Sequence, residues 1–68
     1  MRLLLVEDDA PLAAALTQAL REQGFAVNHV SHGAQALRAA LDDPPDLVVL
    51  DLGLPDMDGL ELLRRLRA

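Results

Sequence analysis

The feature that most constrains the fold is an apolar run, Leu47–Leu50, that ends on Asp51 and is followed by a turn containing Pro and Gly. Four consecutive apolar residues without polar alternation predict a strand that is buried on both faces, as in parallel sheets. Asp51 then follows the carboxyl end of this strand. Ligands of open α/β sheets bind in the crevice outside those ends, so Asp51 is a candidate for chemistry.

A second apolar run near the start of the chain predicts another buried strand, β1 (Leu3–Val6). It stops abruptly at three acidic residues, Glu7, Asp8 and Asp9. Asp9 is expected to cap the following helix, α1, which covers residues 10–23. Gly24 is expected to end α1 in a left-handed conformation.

Two more strands and a second helix follow. Residues 25–30 alternate apolar and polar side chains toward their end, as an edge strand does, and form β2. Helical spacing predicts α2 between the turn at 31–33 and the segment 42–45, where two prolines end it. Residues 47–50 then form β3.

A third helix, α3, is predicted from Asp58 to the last residues, because Asp58 and Glu61 have the spacing of a capping box. The helical periodicity also predicts which side chains face the core. These are Leu12, Leu16, Ala19, Leu20 and Gln23 in α1, Ala36, Leu37, Ala40 and Leu41 in α2, and Leu60, Leu63 and Leu66 in α3.

The element order β1-α1-β2-α2-β3-α3 predicts the α/β class, with parallel strands and right-handed crossovers. If β2 and β3 lie on opposite sides of β1, the strand order is 2-1-3 and the ligand crevice falls between β1 and β3. Glu7 and Asp8 after β1, and Asp51 after β3, then share one pocket, because neighbouring strands are about 4.8 Å apart.

Three carboxylates in one pocket predict a divalent cation. Like charges at this separation would raise one another's pKa unless something neutralises them. Mg²⁺ takes oxygen ligands and prefers one or two carboxylates together with waters and phosphate oxygens. A phosphoryl group can complete such a site, and Asp51 is then the natural nucleophile.

Composition limits the other classes of function. Eleven acidic and six basic residues give a net charge of -5, and no basic stripe lies on any one element, so we expect no nucleic-acid binding by this chain. Cysteine is absent, and the first apolar run is too short for a signal-peptide core or a membrane span. We therefore expect a cytoplasmic protein without membrane association.

Two segments resemble a known family. Val6–Asp9 after a hydrophobic strand, together with Asp51–Gly59, is similar to the receiver domain of two-component response regulators, most of all to the subfamily that carries a winged-helix DNA-binding domain. The resemblance runs through all 68 residues and implies a flavodoxin-like, doubly wound parallel sheet. We interpret residues 1–68 as a partial receiver domain, the N-terminal half.

The resemblance also implies residue roles. Asp51 would be the phosphoacceptor, taking a phosphoryl group from a phosphohistidine on a sensor histidine kinase. Asp8 would bind Mg²⁺ directly, Glu7 would bind it through water, and the backbone carbonyl of Gly53 would be another ligand. The chain would be a signalling domain, not an enzyme, within a parent protein that regulates transcription.

The chain departs from the family pattern in what it lacks. A complete receiver continues through two more strands and two helices, which supply a Ser or Thr hydroxyl and a Lys that contact the phosphoryl group. This chain has no Lys, and neither Thr17 nor Ser31 ends a strand beside β3. We therefore expect β3 to be an exposed apolar edge through which the chain self-associates.

Two other functions stay open at this point. One is a phosphorylation-inactive interaction or dimerisation module with the same fold. The other is a metal-dependent phosphohydrolase, against which Gly53 argues, because such an enzyme would place a second acid two residues after Asp51. His29 and His32 are expected at the surface. Asp56 and Asp58 are expected to serve the turn and a helix cap.

Overall fold

A computed structural model describes residues 1–51 and 53–67 of the chain. The predicted alternation of strands and helices is confirmed, although β1 begins one residue earlier and β2 one residue later than expected. The elements are β1 (Arg2–Val6), α1 (Ala10–Glu22), β2 (Ala26–Val30), α2 (Gly33–Asp42), β3 (Leu47–Leu50) and α3 (Gly59–Arg67). Within the described residues, no helix combines the length and the apolar character needed to cross a membrane.

The three strands form a parallel sheet in the order β2-β1-β3, as predicted. In the central strand, Leu4 lies opposite Asn28 of β2 and opposite Val48 of β3. Because all three strands run in the same direction, their carboxyl ends meet at one edge of the sheet. The loops that follow β1 and β3 are therefore neighbours.

The core lies on both faces of β1, because successive side chains of a strand point to opposite faces. Helix α1 covers one face, and α2 and α3 cover the other. The buried members of the two clusters are Leu3, Leu5 and Ala13 on the α1 face, and Leu4, Val6, Ala36, Leu54 and Leu62 on the other.

The prediction that β3 is buried on both faces is wrong. Leu47 is 41% exposed, and the remaining residues of β3 are only partly buried. The reason is position, since β3 lies at the edge of the sheet and only β1 pairs with it in the described part of the chain. Full burial belongs to the central strand alone.

The predicted core face of α3 is wrong for Leu60 and Leu63 and confirmed for Leu66. Leu62 is completely buried, whereas Leu60 is 54% exposed and Leu63 is exposed as well. Leu66 packs partly against the same core cluster as Leu62. Residues four positions apart share one helix face, so Leu62 and Leu66 form the side that contacts the sheet.

The predicted core faces of the other two helices are confirmed in part. In α1, Ala13 is buried and the predicted Leu12 is exposed. In α2, the predicted Ala36 is buried together with Gly33, whereas the predicted Leu41 is 83% exposed. Other predicted core residues, including Leu16, Leu20 and Leu37, do pack partly against the two clusters. Small side chains at the closest contacts let both helices approach the sheet.

The predicted ends of α1 are confirmed. The Asp9 side chain accepts a hydrogen bond from the Leu12 N–H at 3.1 Å. After the helix, Gly24 adopts a φ of +94°, in the left-handed region that favours glycine. These two residues determine where β1 connects to α1 and where the chain turns back toward β2.

The capping box predicted for α3 forms only in part. Asp58 Oδ1 accepts a hydrogen bond from the Leu60 N–H at 2.9 Å. The Glu61 carboxylate pairs with Arg64 and Arg65, each at 3.2 Å, on the exposed side of the helix. Glu61 therefore forms surface ion pairs, and such exposed pairs contribute little to the stability of the fold.

Candidate functional site

Three acidic side chains converge at the carboxyl edge of the sheet. Glu7, Asp8 and Asp51 each offer a carboxylate oxygen, and these oxygens all lie within 4.8 Å of one another. The register explains this convergence, because Val6 lies opposite Leu50 and each is the last residue of its strand. The Asp51 N–H donates to the Val6 carbonyl at 2.9 Å, which extends the strand pairing by one residue.

The three acids differ in their access to water. Glu7 is buried, with 9% of its surface exposed, whereas Asp51 is partly buried and Asp8 is exposed. The cluster is therefore closed at its base by Glu7 and open to solvent on the side of Asp8. A ligand could enter from that side without a change in the fold.

Glu7 is held by hydrogen bonds to its backbone and to its side chain. The Asp9 N–H donates to Glu7 Oε1 at 3.2 Å, and the Glu7 N–H donates to the Val30 carbonyl at 3.1 Å. His29 Nε2 donates to the backbone carbonyl of Glu7 at 2.8 Å. His29 is exposed, as expected, but its contact with Glu7 was not predicted, because only the register between β1 and β2 brings the two residues together.

The pKa of Asp51 depends first on a hydrogen bond within its own turn. Its pKa is lowered, chiefly because the Gly53 N–H donates to Oδ1 at 3.0 Å and stabilises the charged form. Partial burial acts in the opposite direction, and interactions with the side chains of Asp8 and Glu7 lower the pKa further. The hydrogen bond from Gly53 thus stabilises the ionised carboxylate of Asp51 against the crowding by its acidic neighbours.

The turn after β3 is closed on itself and attached to α2. Gly53 and Asp58 form an antiparallel bridge across the turn. At its tip, Asp56 Oδ1 accepts from the Gly33 N–H at 2.8 Å and Oδ2 accepts from the Ala34 N–H at 3.1 Å. Asp56 thus lies in the turn, as expected, but its side chain caps α2, which was not expected.

This contact completes the start of α2. The N-cap residue of α2, His32, makes no capping hydrogen bond with its side chain. The N–H groups of the first helical turn need an acceptor from outside the helix. Asp56 supplies it from 23 residues away in sequence, a distance at which no local pattern could have revealed the contact.

The hydrogen bonds between Asp56 and the start of α2 predict that the stability of the fold depends on pH. The pKa of Asp56 is lowered, first because the Gly33 and Ala34 N–H groups donate to it and, to a smaller extent, because of a coulombic interaction with His32, while desolvation acts in the opposite direction. A group with a lowered folded-state pKa stabilises the fold above its unfolded value of 3.8, and that contribution is lost as the pH falls through the folded pKa.

We expect the unfolding free energy of the wild type minus that of Asp56→Asn to be constant above about pH 5 and to shrink toward about pH 2. Urea unfolding followed by circular dichroism measures it at each pH. Asn keeps one acceptor oxygen but cannot titrate, so the difference isolates the charge. A difference that stays constant over the whole range would show that the Asp56 charge does not contribute.

Known sequences are similar to the chain over almost its whole length. A family model described as the response regulator receiver domain matches residues 3–68. The transcriptional regulatory protein KdpE of Mycobacterium tuberculosis is 53% identical over 68 residues, which is 98% of this chain and 30% of that protein. The DNA-binding response regulator MtrA of Mycobacterium leprae is 51% identical over 67 residues, with the same coverage.

Solved structures are similar over almost the whole chain. The receiver domain of the sensor histidine kinase PA1611 from Pseudomonas aeruginosa, with a magnesium ion coordinated in its active-site cleft, superposes with a TM-score of 0.92 at 35% identity. A sensor protein from Polaromonas sp. JS666 superposes with a TM-score of 0.91 at 41% identity. Each match covers 97% of this chain but only 54% and 53% of the solved chains. The chain thus spans about half of these structures and 30% of the curated relatives.

Proposed function

The chain belongs to the response regulator receiver family, and from that premise we propose that Asp51 accepts a phosphoryl group from the phosphohistidine of a sensor histidine kinase, with Mg²⁺ as cofactor. The observation that carries the proposal is the convergence of the Glu7, Asp8 and Asp51 oxygens within 4.8 Å. KdpE and MtrA are named as transcriptional or DNA-binding regulators, and we propose that the parent protein of this chain also regulates transcription.

The chemistry of the donor set supports Mg²⁺. All three side chains offer oxygen, and the ion pairs among residues 1–51 and 53–67 involve other carboxylates, those of Asp43 and Glu61. A hard divalent cation would balance this negative charge. We propose that exposed Asp8 is a direct ligand, that recessed Glu7 acts through water, and that the Gly53 backbone carbonyl is a further ligand.

The arrangement of Asp51 suits it to nucleophilic attack. Its Oδ1 accepts the Gly53 N–H, which leaves Oδ2 to form the bond to phosphorus. As this P–O bond forms, the P–N bond to the kinase histidine breaks, and its electron pair goes to the imidazole nitrogen. When bound, Mg²⁺ would offset the charge of the phosphoryl oxygens and of the acids around them.

Further partners and the location are part of the same proposal. The outer edge of β3, with Leu47 exposed, is proposed to pair with β3 of a second copy of this chain. Sedimentation over a range of concentrations measures this association, and a compact monomer at high concentration would rule it out.

DNA binding is proposed for another part of the parent protein, and the location is proposed to be cytoplasmic.

The central experiment is phosphorylation by a small acyl phosphate. The chain is incubated with the donor, with and without Mg²⁺, and its intact mass is measured over time. We expect a single phosphoryl adduct that requires Mg²⁺, is prevented by a chelator and is removed by hydroxylamine, which cleaves acyl phosphates. Free phosphate in solution is measured in parallel.

The two competing functions give different results in this experiment. A phosphorylation-inactive interaction module would show no adduct under any condition. A phosphohydrolase would release phosphate from the acyl phosphate continuously and faster than the donor hydrolyses alone, without a lasting adduct. Either result would overturn the proposal that this chain is a phosphoacceptor.

A further inference from the structure

The turn after β3 contacts the start of α2 through two neighbouring residues, in two different ways. The Asp56 carboxylate accepts the Gly33 and Ala34 N–H groups, one with each oxygen, at 2.8 and 3.1 Å. Next to it, Met57 packs against the backbone of Gly33, where a Cβ would lie only 3.0 Å from Met57 Cβ and 3.1 Å from its Sδ. The turn therefore lies so close to α2 that a side chain at position 33 would collide with Met57, and glycine fits there because it has none.

The same turn reaches the acidic cluster at its other end. Gly53 is bridged to Asp58 across the turn, and its N–H donates to Asp51 Oδ1 at 3.0 Å. Only two residues separate Gly53 from Asp56, so a displacement of the tip is transmitted to Gly53 over a short distance. Leu54, between them, is buried in the core and restricts the movement of the turn.

Asp56 is not itself a member of the acidic cluster, which consists of Glu7, Asp8 and Asp51. Both of its carboxylate oxygens are used by α2. An effect of Asp56 on the site would therefore have to act through the position of the turn.

We propose that Asp56 is a positioning residue of the phosphoacceptor site, which anchors the turn 53–58 to the start of α2 and thereby holds the Gly53 backbone beside Asp51. The proposal rests on the proposed function, since Gly53 is there a ligand through its carbonyl. Gly33 also belongs to this arrangement, because the absence of a side chain at this position permits the contact with Met57. The start of α2 thus becomes part of the framework of the site.

The test uses two variants that disturb the contact in different ways. Asp56→Ala removes both acceptor oxygens. Gly33→Ala keeps the Asp56 carboxylate but adds a Cβ that would lie 3.0 Å from Met57 Cβ and 3.4 Å from Asp56 Oδ1, so that it displaces the turn. Asp56→Asn keeps one acceptor oxygen, so we expect it to show a smaller change than Asp56→Ala. Leu20→Ala is the control, because Leu20 packs on the opposite face of the sheet and should change stability without moving the turn.

Two measurements are made on each variant. The first is the exchange rate of the Gly53 amide hydrogen without metal, divided by that of a β1 core amide. We expect this exchange ratio to rise about tenfold in Asp56→Ala and Gly33→Ala, because the hydrogen bond from the Gly53 N–H to the charged Asp51 would be lost. The second is Mg²⁺ affinity by calorimetry, which we expect to fall about tenfold, the lower end of what losing the support of a metal ligand costs.

The two measurements separate the two proposals. An unchanged Gly53 exchange ratio in Asp56→Ala would overturn the positioning role, and Asp56 would be a helix cap only. The same conclusion follows if Leu20→Ala changes the ratio equally, because the effect would then reflect stability alone. If the exchange ratio rises as expected but the wild type binds no Mg²⁺, the Asp56 contact stands and the proposed function fails.

Discussion

Asp51→Asn is expected to abolish the phosphoryl adduct completely while leaving the fold intact. An amide oxygen is a poor nucleophile, and the amide cannot form a stable acyl phosphate, so the chemistry stops at its first step. The side-chain oxygen of Asn can still accept the Gly53 N–H, so the turn after β3 keeps its anchor beside the strand. Intact-mass measurement after incubation with the acyl phosphate and Mg²⁺ reports the loss directly, and circular dichroism reports the fold.

Asp46→Asn is the matched control for this experiment. Asp46 precedes β3 at the opposite end from Asp51, and its side chain accepts the Arg2 N–H at 2.8 Å, a contact that Asn can also make. We expect this variant to form the adduct at the wild-type rate. An adduct that persists in Asp51→Asn would assign the phosphoryl group to another residue, and peptide mapping would identify it.

Leu62→Ala is expected to have the largest effect on stability. Leu62 is completely buried, and it joins α3 to the core cluster around β1. Truncation of a buried leucine to alanine typically costs about 2–5 kcal/mol. The total stability of a domain of this length is only about 3–10 kcal/mol, so the variant should be largely unfolded under mild denaturing conditions.

The control lies two residues away on the same helix. Leu60 is 54% exposed, and Leu60→Ala makes the same chemical change where little surface is buried. We expect it to alter the unfolding free energy by no more than about 0.5 kcal/mol, measured by urea unfolding of both variants under the same conditions. Equal losses for the two variants would mean that α3 does not pack as described.

This pair of leucines also illustrates where sequence-based prediction succeeded and where it did not. The strands themselves follow from short apolar runs that end on carboxylates. Their order, on which the convergence of the acids at one sheet edge depends, was implied by the family resemblance and does not follow from the runs. The rotation of α3 does not follow, because leucines at 60, 62, 63 and 66 allow more than one apolar stripe. The path of the turn before the helix decides which stripe meets the sheet.

The contacts of Asp56 and His29 were out of reach for a related reason. Each side chain hydrogen-bonds to backbone groups more than twenty residues away, and backbone groups carry no residue-specific signal in the sequence. A local pattern could assign Asp56 to a cap, since aspartate is common there, but not to a particular helix. Such contacts become visible only once the strand register and the loop path are known.

The central position of β1 has a consequence for how this chain can vary. Its four buried residues point alternately to the two faces of the sheet, and Glu7 and Asp8 follow them without a spacer. Exchange of one aliphatic residue for another of similar size would leave this alternation intact. Insertion or deletion of a single residue between Arg2 and Glu7 would reverse it, disperse the acids and exchange the partners of every buried side chain in the strand. The length of this segment is therefore under stricter constraint than its composition.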